Sequence, residues 1–240
     1  THLRDISLQD RQGEIVGVAG VAGNGQEELL AVLSGEEQIA NATSLQFLGT
    51  TVGQLNPAQR RQLGLAFVPE DRLGRGAVPD MTLTENGLLT GFLHGLVSNG
   101  MVSWKRSKHF ADEIIERFKV KTPNAHAHAA SLSGGNLQKF IIGREILQNP
   151  KLLVASHPTW GVDIGAATAI HQALIQLRDQ GAAILVISED TDELFQISDR
   201  IGAIFAGQLS PFKPTAETSI DEVGQWMAGV FDMIPNQEVE

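Results

Sequence analysis

Short, continuously apolar runs alternate along this chain with stretches whose apolar positions recur every three or four residues. Ile15, Val16, Val18 and Ala19 form the first run, broken only by Gly17 and ending in a glycine-rich turn. Runs of this length, bounded by turn residues, predict strands buried on both faces. The same pattern predicts strands at 65–68, 152–155, 183–187 and 201–205, the last entering the turn Ala206-Gly207. Between them the period changes. Leu29, Leu30 and Leu33 share one face of a predicted helix from Gln26 to Ser34, with Gly35 as its stop. Ile170, Ala173, Leu174 and Leu177 recur at i, i+3, i+4 and i+7, so a helix joins the strands at 152–155 and 183–187. Strands alternating with helices predict an α/β fold around a largely parallel sheet.

The middle departs from this alternation. From 83 to 147 the pattern is helical, with no convincing strand. Ile114, Ile115 and Phe118 lie on one helical face, and Phe140, Ile141, Arg144 and Leu147 belong to another helix. The expected organisation is an α/β core built from 1–78 and 150–210, interrupted by a helical subdomain at 79–149. A tail at 211–240 follows, with one short helical signal at 223–230. No internal repeat or low-complexity segment stands out.

Composition narrows the function classes. The 240 residues are 42% hydrophobic and 19% charged, a globular balance. Eighteen basic against twenty-eight acidic side chains leave a net charge of −10. Such a surface does not attract nucleic acid or an anionic membrane over long range, so a bound phosphate must be held by local geometry. The absence of Cys excludes a disulfide scaffold, a thiol nucleophile and any Cys-ligated zinc or iron–sulfur site, and fits a reducing compartment. The longest uncharged segment, 86–104, is interrupted by glycines and carries Asn, Ser, Thr and His, which predicts helix and loop rather than a membrane span. No signal-peptide pattern opens the chain. It starts at Thr1, and Leu3-Arg4-Asp5-Ile6 already reads as structured, so the sequence is expected to be a piece of a longer polypeptide.

Two segments carry candidate chemistry. Gly20-Val21-Ala22-Gly23-Asn24-Gly25 follows a predicted strand and opens a helix, the setting in which backbone N–H groups cradle phosphate. The next two positions of such a loop call for Lys and for Ser or Thr. Here they are Gln26 and Glu27. A neutral amide supplies no charge, and Glu27 and Glu28 already satisfy the positive end of the helix dipole. Taken alone, the loop favours a glycine turn over a working nucleotide site. The stronger segment is Leu132-Ser133-Gly134-Gly135-Asn136-Leu137-Gln138-Lys139, which opens a helix with Ser133 as the expected N-cap. Its paired glycines expose N–H groups at a positive helix end, an anion seat that needs no lysine.

Together these motifs resemble the ATP-binding cassette (ABC) family, whose signature is LSGGQ, over essentially the whole chain. Residues 20–27 match the Walker A loop, Val68-Pro69-Glu70-Asp71-Arg72 the Q-loop region and residues 133–138 the signature. Residues 152–159 match the Walker B strand with its following Pro-Thr, Gly161-Val162-Asp163 the D-loop, and 186–194 the switch region. Pro-Glu-Asp-Arg, Gly-Asn-Gly-Gln and Ser-Gly-Gly-Asn look like the second cassette of importers with two fused cassettes, the sugar and nucleoside uptake systems. Gly-Asn-Gly-Gln with Ala155-Ser156-His157-Pro158 is most similar to the nucleoside branch. The resemblance implies a P-loop NTPase-like (RecA-like), mainly parallel core with an inserted helical signature subdomain.

Carried over residue by residue, the resemblance also exposes departures. The nucleotide contacts fall on Gly20, Gly23, Asn24, Gly25, Gln26, Glu27 and Glu70, the last replacing the Q-loop Gln. The magnesium-binding carboxylate falls on Ser156, the general base on His157 and the switch His on Glu189. Each missing group would position or stabilise charge in phosphoryl transfer. Losing one such contributor costs about 10²–10³ in rate, so this loop is expected to lack meaningful hydrolysis. The family pairs two cassettes head-to-tail. The resemblance therefore implies that Ser133, Gly134, Gly135, Asn136 and Gln138 complete the site of a competent partner cassette, with Asp163 in the D-loop. It further implies ATP with Mg shared with that partner, expected to be the N-terminal half of the same chain. Membrane permease subunits and, indirectly, a substrate-binding protein are the other implied partners, at the cytoplasmic face of a bacterial inner membrane. No nucleic acid is implied.

The remaining candidates are weaker. His126 and His128 lie in an Ala-rich connection with no third ligand, and His109 with Glu113 reads as an exposed helical pair. No metal site is expected. The run Glu189, Asp190, Asp192, Glu193 reads as a solvated helix start. Trp160 stands where the related importers carry a basic residue. Arg72, Arg75 and the apolar stretch 83–96 are candidates for contact with a membrane subunit. The rival to the importer reading is a scaffold module that binds no nucleotide; a soluble ABC protein of DNA repair or translation is disfavoured by the acidic balance and the lack of a coiled-coil insertion.

Overall fold

The computed structural model describes residues 2–231. In chain order its elements are β1 (Ile15–Ala19), α1 (Gln26–Ser34), β2 (Gln46–Phe47), β3 (Thr50–Thr51), α2 (Pro57–Gln62), β4 (Leu65–Val68), α3 (Leu83–Gly91), β5 (Val97–Ser98), β6 (Met101–Val102) and α4 (Trp104–Arg117). Then come α5 (Gly134–Ile146), β7 (Leu152–Ser156), α6 (Ile164–Asp179), β8 (Ala183–Ser188), α7 (Thr191–Ile197), β9 (Arg200–Phe205), β10 (Gln208–Leu209), β11 (Lys213–Pro214) and α8 (Ile220–Met227). The sheet runs β10-β9-β1-β8-β7-β4, with β11 pairing to β9. Its five central strands are parallel, and only β10 and β11 run antiparallel to their neighbour. This is the expected α/β core with its largely parallel sheet.

Burial explains why the strands read as unbroken apolar runs. Val16 and Val18 pack with Leu29 and Leu30 of α1 and with Leu185, Ile187 and Ile204 on one face of the sheet. Ile15, Ala19, Ile184, Val186 and Ile201 point the other way, into a cluster with Ile170, Leu174, Leu194 and Trp226. With both faces covered, no position on β1 is left for a polar side chain. Gly35 ends α1 in a left-handed conformation (φ 88°), as expected for a helix stop.

The register decides where chemistry can occur. Ala19 pairs with Ser188, Ser156 with Ile187, and Val68 with Ala155. The carboxyl ends of β1, β4, β7 and β8 therefore finish in one row, and the loops that follow them gather at one edge, where open α/β sheets place ligands.

The short hairpin of β5 and β6 contradicts the expectation that 83–147 holds no strand, and a second, of β2 and β3, is not anticipated either. Val97–Ser98 pairs with Met101–Val102 around Asn99 (φ 50°) and Gly100 (φ 76°). Asn-Gly is the dipeptide that favours a two-residue turn of this hand, but strands of two residues show no alternation to read. Gln46–Phe47 pairs likewise with Thr50–Thr51. The tail helix α8 begins three residues earlier than the signal at 223–230, where Ser219 accepts the Glu222 N–H at 3.1 Å. The expected tail beyond 231 lies outside the described residues.

A buried carboxylate ties the helical insertion to the core. Glu145 on α5 is fully buried and accepts from Arg61 of α2 (2.7 Å), Arg144 (2.8 Å) and Thr90 of α3 (2.8 Å). Burial alone would favour its neutral form, but Arg144, Arg61 and these hydrogen bonds outweigh it and hold the carboxyl below its ordinary 4.5. Replacing Glu145 with Gln leaves the buried Arg144 without a counter-charge and is expected to cost about 3–5 kcal/mol, read as a lower urea midpoint at pH 7. The carboxylate's contribution is present above the unfolded-chain value and lost as pH falls through the lower folded one. The gap between wild type and E145Q should therefore narrow below pH 4.5.

Candidate functional site

The loop between β1 and α1 has the backbone of a phosphate cradle. Gly23 (φ 86°) and Gly25 (φ 115°) take the left-handed conformation that lets it turn back on itself before α1 begins. Its interior, however, is occupied by its own chain. Gln26 is only 6% exposed and folds back so that Oε1 accepts the Asn24 N–H at 3.1 Å. The Nε2 end presses on Gly20, where an added Cβ would come within 2.7 Å. Asn24 fixes the loop further: Nδ2 donates to the Val21 carbonyl (2.9 Å), Oδ1 accepts from Ala206 N–H (3.1 Å), and the Asn24 carbonyl accepts from Gly207 N–H (2.8 Å). Glu27 points outward and is exposed.

A cleft of about 450 Å³ opens beside this loop, at the carboxyl ends of β7 and β8. Val21, His157, Thr159, Trp160, Glu189, Asp190 and Glu193 line it, with no Lys or Arg among the lining residues. Its charged side chains are thus acidic, which opposes an incoming phosphate. At the end of β7, Ser156 is 1% exposed and its hydroxyl has no hydrogen-bond partner. His157 follows in a left-handed conformation (φ 45°), stacks edge-on against Trp160 at 5.8 Å, and places Nε2 3.9 Å from the exposed Glu70 carboxylate. Glu189 is exposed at the end of β8. No group of three or more His, Asp and Glu poised to hold a metal exists among the described residues.

The acidic run is not the solvated helix start that its composition suggests. Asp190 does cap α7, accepting the Glu193 N–H at 3.1 Å. Glu193 itself is 4% exposed and receives Thr159 Oγ1 (2.6 Å), Ser188 Oγ (2.9 Å) and His171 Nε2 (3.2 Å). One helical turn from the cap, its side chain turns inward under β8. That Thr159, Ser188 and His171 converge on Glu193 is not legible in the sequence, because their shared partner is hidden in a linear run of charge.

The signature segment does not line this cleft but packs against its wall: a Cβ on Gly135 would lie 3.3 Å from the carbonyl of Gly161, a lining residue. Gly134 and Gly135 open α5, and Ser133 holds the N-cap position without capping. Its Oγ accepts from Asn136 Nδ2 at 2.9 Å, while Asn136 Oδ1 accepts from Lys121 N–H at 2.8 Å. The expected Ser133 cap is therefore absent: the Asn136 amide takes the hydroxyl, and no side chain caps the first turn of α5. Gln138, in the same motif, turns inward. Gln138 is 1% exposed, with Oε1 accepting from Arg72 (3.2 Å) and Nε2 donating to the Pro158 carbonyl (3.0 Å). Asp163 caps α6 through the Ala166 N–H (2.9 Å), a bond that holds its carboxyl below the usual range.

Elsewhere, His128 Nδ1 lies 2.8 Å from the Asp80 carbonyl on an exposed loop. Glu113 pairs with Arg117 at 3.1 Å, so the expected His109–Glu113 pair is displaced by a cation on the same helical face. Arg75 pairs with Glu36. In the stretch 83–96, Leu83 and Leu96 are buried while Leu89 and Leu93 are exposed.

The glycine loop after β1, the uncapped Ser-Gly-Gly turn and the parallel core define a class. A family model described as ABC transporter matches residues 3–160, and the chain belongs to that family. It is 40% identical over 233 residues to the guanosine import ATP-binding protein NupO of Bacillus subtilis (strain 168), covering 95% of this chain and 44% of that protein. It is 40% identical over 228 residues to the nucleoside import ATP-binding protein NupA of Lactococcus lactis subsp. cremoris (strain MG1363), covering 95% and 45%. The ribose import ATP-binding protein RbsA 1 of Rubrobacter xylanophilus matches at 36% over 221 residues, 92% and 44%. The chain thus spans less than half the length of these relatives. Among solved structures, a dimeric ATP-binding cassette in a post-hydrolysis state with ADP and Pi superposes with a TM-score of 0.77 at 21% identity, over 89% of this chain and 90% of that one. That likeness establishes the P-loop NTPase-like fold.

Exchanging Gln26 for Lys replaces the acceptor inside the loop with a cation. The expected result, read by titration with a fluorescent ATP analogue, is at least about ten-fold tighter binding, the worth of one charge-assisted contact. Phosphate release should stay at the wild-type level, because Ser156 and His157 are unchanged.

Proposed function

We propose that this chain is the second ATP-binding cassette of a two-cassette importer for nucleosides or sugars, and that it works asymmetrically. Its Ser133, Gly134, Gly135 and Asn136 complete the ATP site of a competent partner cassette, while its own loop is catalytically poor. The observation that carries this reading is the contrast between two helix N-termini. The one at α1 is filled by the Gln26 side chain and faces an acid-lined cleft; the one at α5 is open, uncapped and free of carboxylate.

The donor set at the loop does not fit magnesium ATP. Ser156, on which the magnesium-binding carboxylate would fall, is neutral and enclosed, Glu27 is exposed to solvent, and no Lys or Arg lines the cleft. At the other surface, bound nucleotide belongs to the partner and supplies the phosphoryl chemistry. This chain's part is to offer the Gly134 and Gly135 amides at the positive end of α5 and to help exclude water. Trp160 (58% exposed), Ile164 (87%) and Val21 (49%) are large apolar side chains left in solvent around the D-loop and the glycine loop, as expected of a face that pairs with another cassette.

The partner cassette is proposed to be the first half of the same polypeptide, consistent with relatives more than twice as long as the matched region. Permease subunits would receive the assembly at the cytoplasmic face of a bacterial inner membrane, with a substrate-binding protein delivering the cargo. No described helix is long and apolar enough to cross a membrane. The self-filled loop favours one refinement, in which this chain binds no nucleotide at its own loop and acts there as a scaffold.

In the assembled transporter, Ser133→Ala and Gly135→Val are expected to lower ATP hydrolysis by at least about ten-fold, measured as phosphate release. Unchanged turnover in both variants would exclude the shared-site reading. Titration of a fluorescent ATP analogue then separates the refinement: one nucleotide per cassette pair supports it, two oppose it.

A further inference from the structure

The Arg72 side chain connects three segments that are distant in sequence. It leaves the chain four residues after β4, in a tight turn where Ala77 N–H donates to its carbonyl at 2.6 Å and Gly76 N–H to that of Asp71 at 2.9 Å. From there the guanidinium crosses to the start of α5 and to the segment after β7. Its Nε donates to Gln138 Oε1 at 3.2 Å, and its Nη2 donates to the Trp160 carbonyl. Gln138 closes the circuit by donating to the Pro158 carbonyl at 3.0 Å. The planar fork thus fixes two directions at once, which an ammonium on a flexible stem cannot reproduce.

Two glycines make room for it. A Cβ on Gly134, the first residue of α5, would lie 2.6 Å from Nη1, and one on Gly161 would lie 3.2 Å from Nη2. Gly134 is thus small for two reasons: its amide is exposed, and its face is occupied by a guanidinium. Among the described residues no carboxylate pairs with Arg72, although Glu70 and Asp71 precede it directly. Its charge stands instead beside the positive end of α5, where like sign repels. The first turn of α5, uncapped by any side chain, and the Nη1 group, which has no hydrogen-bond partner among the described residues, therefore form one patch of positive potential. An anion reaching that patch relieves the repulsion.

We propose that Arg72 is a positioning residue for the signature turn: it holds the first turn of α5 against the 158–161 segment and adds its charge to the surface presented to the partner's triphosphate. This rests on the reading that residues 133–136 complete a partner's ATP site. Arg72 works through Gln138, Gly134 and the Trp160 carbonyl, and its fork and its charge make separable contributions. The fork sets how accurately the turn is aimed, which governs turnover. The charge sets how strongly an anion is drawn, which governs the apparent affinity for ATP.

The test uses the assembled transporter and measures kcat and KM for ATP. Arg72→Ala is expected to lower kcat at least ten-fold and raise KM several-fold. Arg72→Lys keeps the charge and should restore KM but not kcat. Gln138→Leu removes one anchor while leaving the charge, and should match Arg72→Lys; the double variant should be no worse than either single one, since both break the same circuit. Melting curves and circular dichroism keep the comparison to folded variants, with Arg72→Lys as the mildest change. Wild-type kcat in Arg72→Lys, or strictly additive losses in the double variant, would overturn the positioning role. Ser133→Ala serves as the separate control. If it hydrolyses ATP normally the shared-site reading fails, whereas loss there with normal kinetics in Arg72→Ala defeats the present inference alone.

Discussion

The common finish line of four parallel strands is the constraint on which this molecule depends. Because Ala19, Ser156 and Ser188 are held level by the hydrogen-bond ladders of β1, β7 and β8, the loops that follow them cannot drift apart. The glycine loop, His157, Trp160 and Glu189 lie at one edge for that reason, and contacts such as that between His157 and Trp160 follow from it. Both faces of β1 are buried, so slipping the register by one residue would push buried side chains into the wrong layer. The placement of the cleft is inherited from the stability of the core.

On that frame the chain presents the same electrostatic device twice. Helices α1 and α5 both start at glycines, and both leave N–H groups at the positive end of a dipole. At α1 the following side chain turns back, supplies an acceptor from within and keeps its neighbours acidic. At α5 the N-cap hydroxyl of Ser133 is held by Asn136, and the Arg72 guanidinium stands beside Gly134. Equivalent backbone geometry therefore carries opposite consequences for an anion, and the difference lies in a handful of side chains.

Buried polar groups join the parts that the sheet does not. Glu145 draws α3, α5 and α2 together through Thr90, Arg144 and Arg61. Glu193 does the same for β8, α6 and the loop after β7 through Ser188, His171 and Thr159. Each carboxylate satisfies three donors, and removing one partner from such a group leaves unpaired polarity in a medium of low dielectric. These contacts couple α3, α5 and the start of α7 to the sheet.

Local pattern alone determined the strands of the core, the helices α1 and α6, the stop at Gly35 and the glycine-rich starts of α1 and α5. Each depends on periodicity or on a backbone preference expressed within a few residues. The two hairpins escaped because strands of two residues carry no period, even where Asn99-Gly100 marks the turn. The roles of individual polar side chains were decided only by the tertiary structure. Glu193 and Glu189 belong to one acidic run, yet one is enclosed and the other solvated, because a single turn of helix separates inward from outward. Ser133 and Gln138 belong to one motif, but the partner of Gln138, Arg72, depends on how a loop after β4 and a loop after β7 converge on α5. A hydrogen bond is fixed by distance in space, and nothing in the order of residues along the chain encodes that distance until the sheet has brought its ends together.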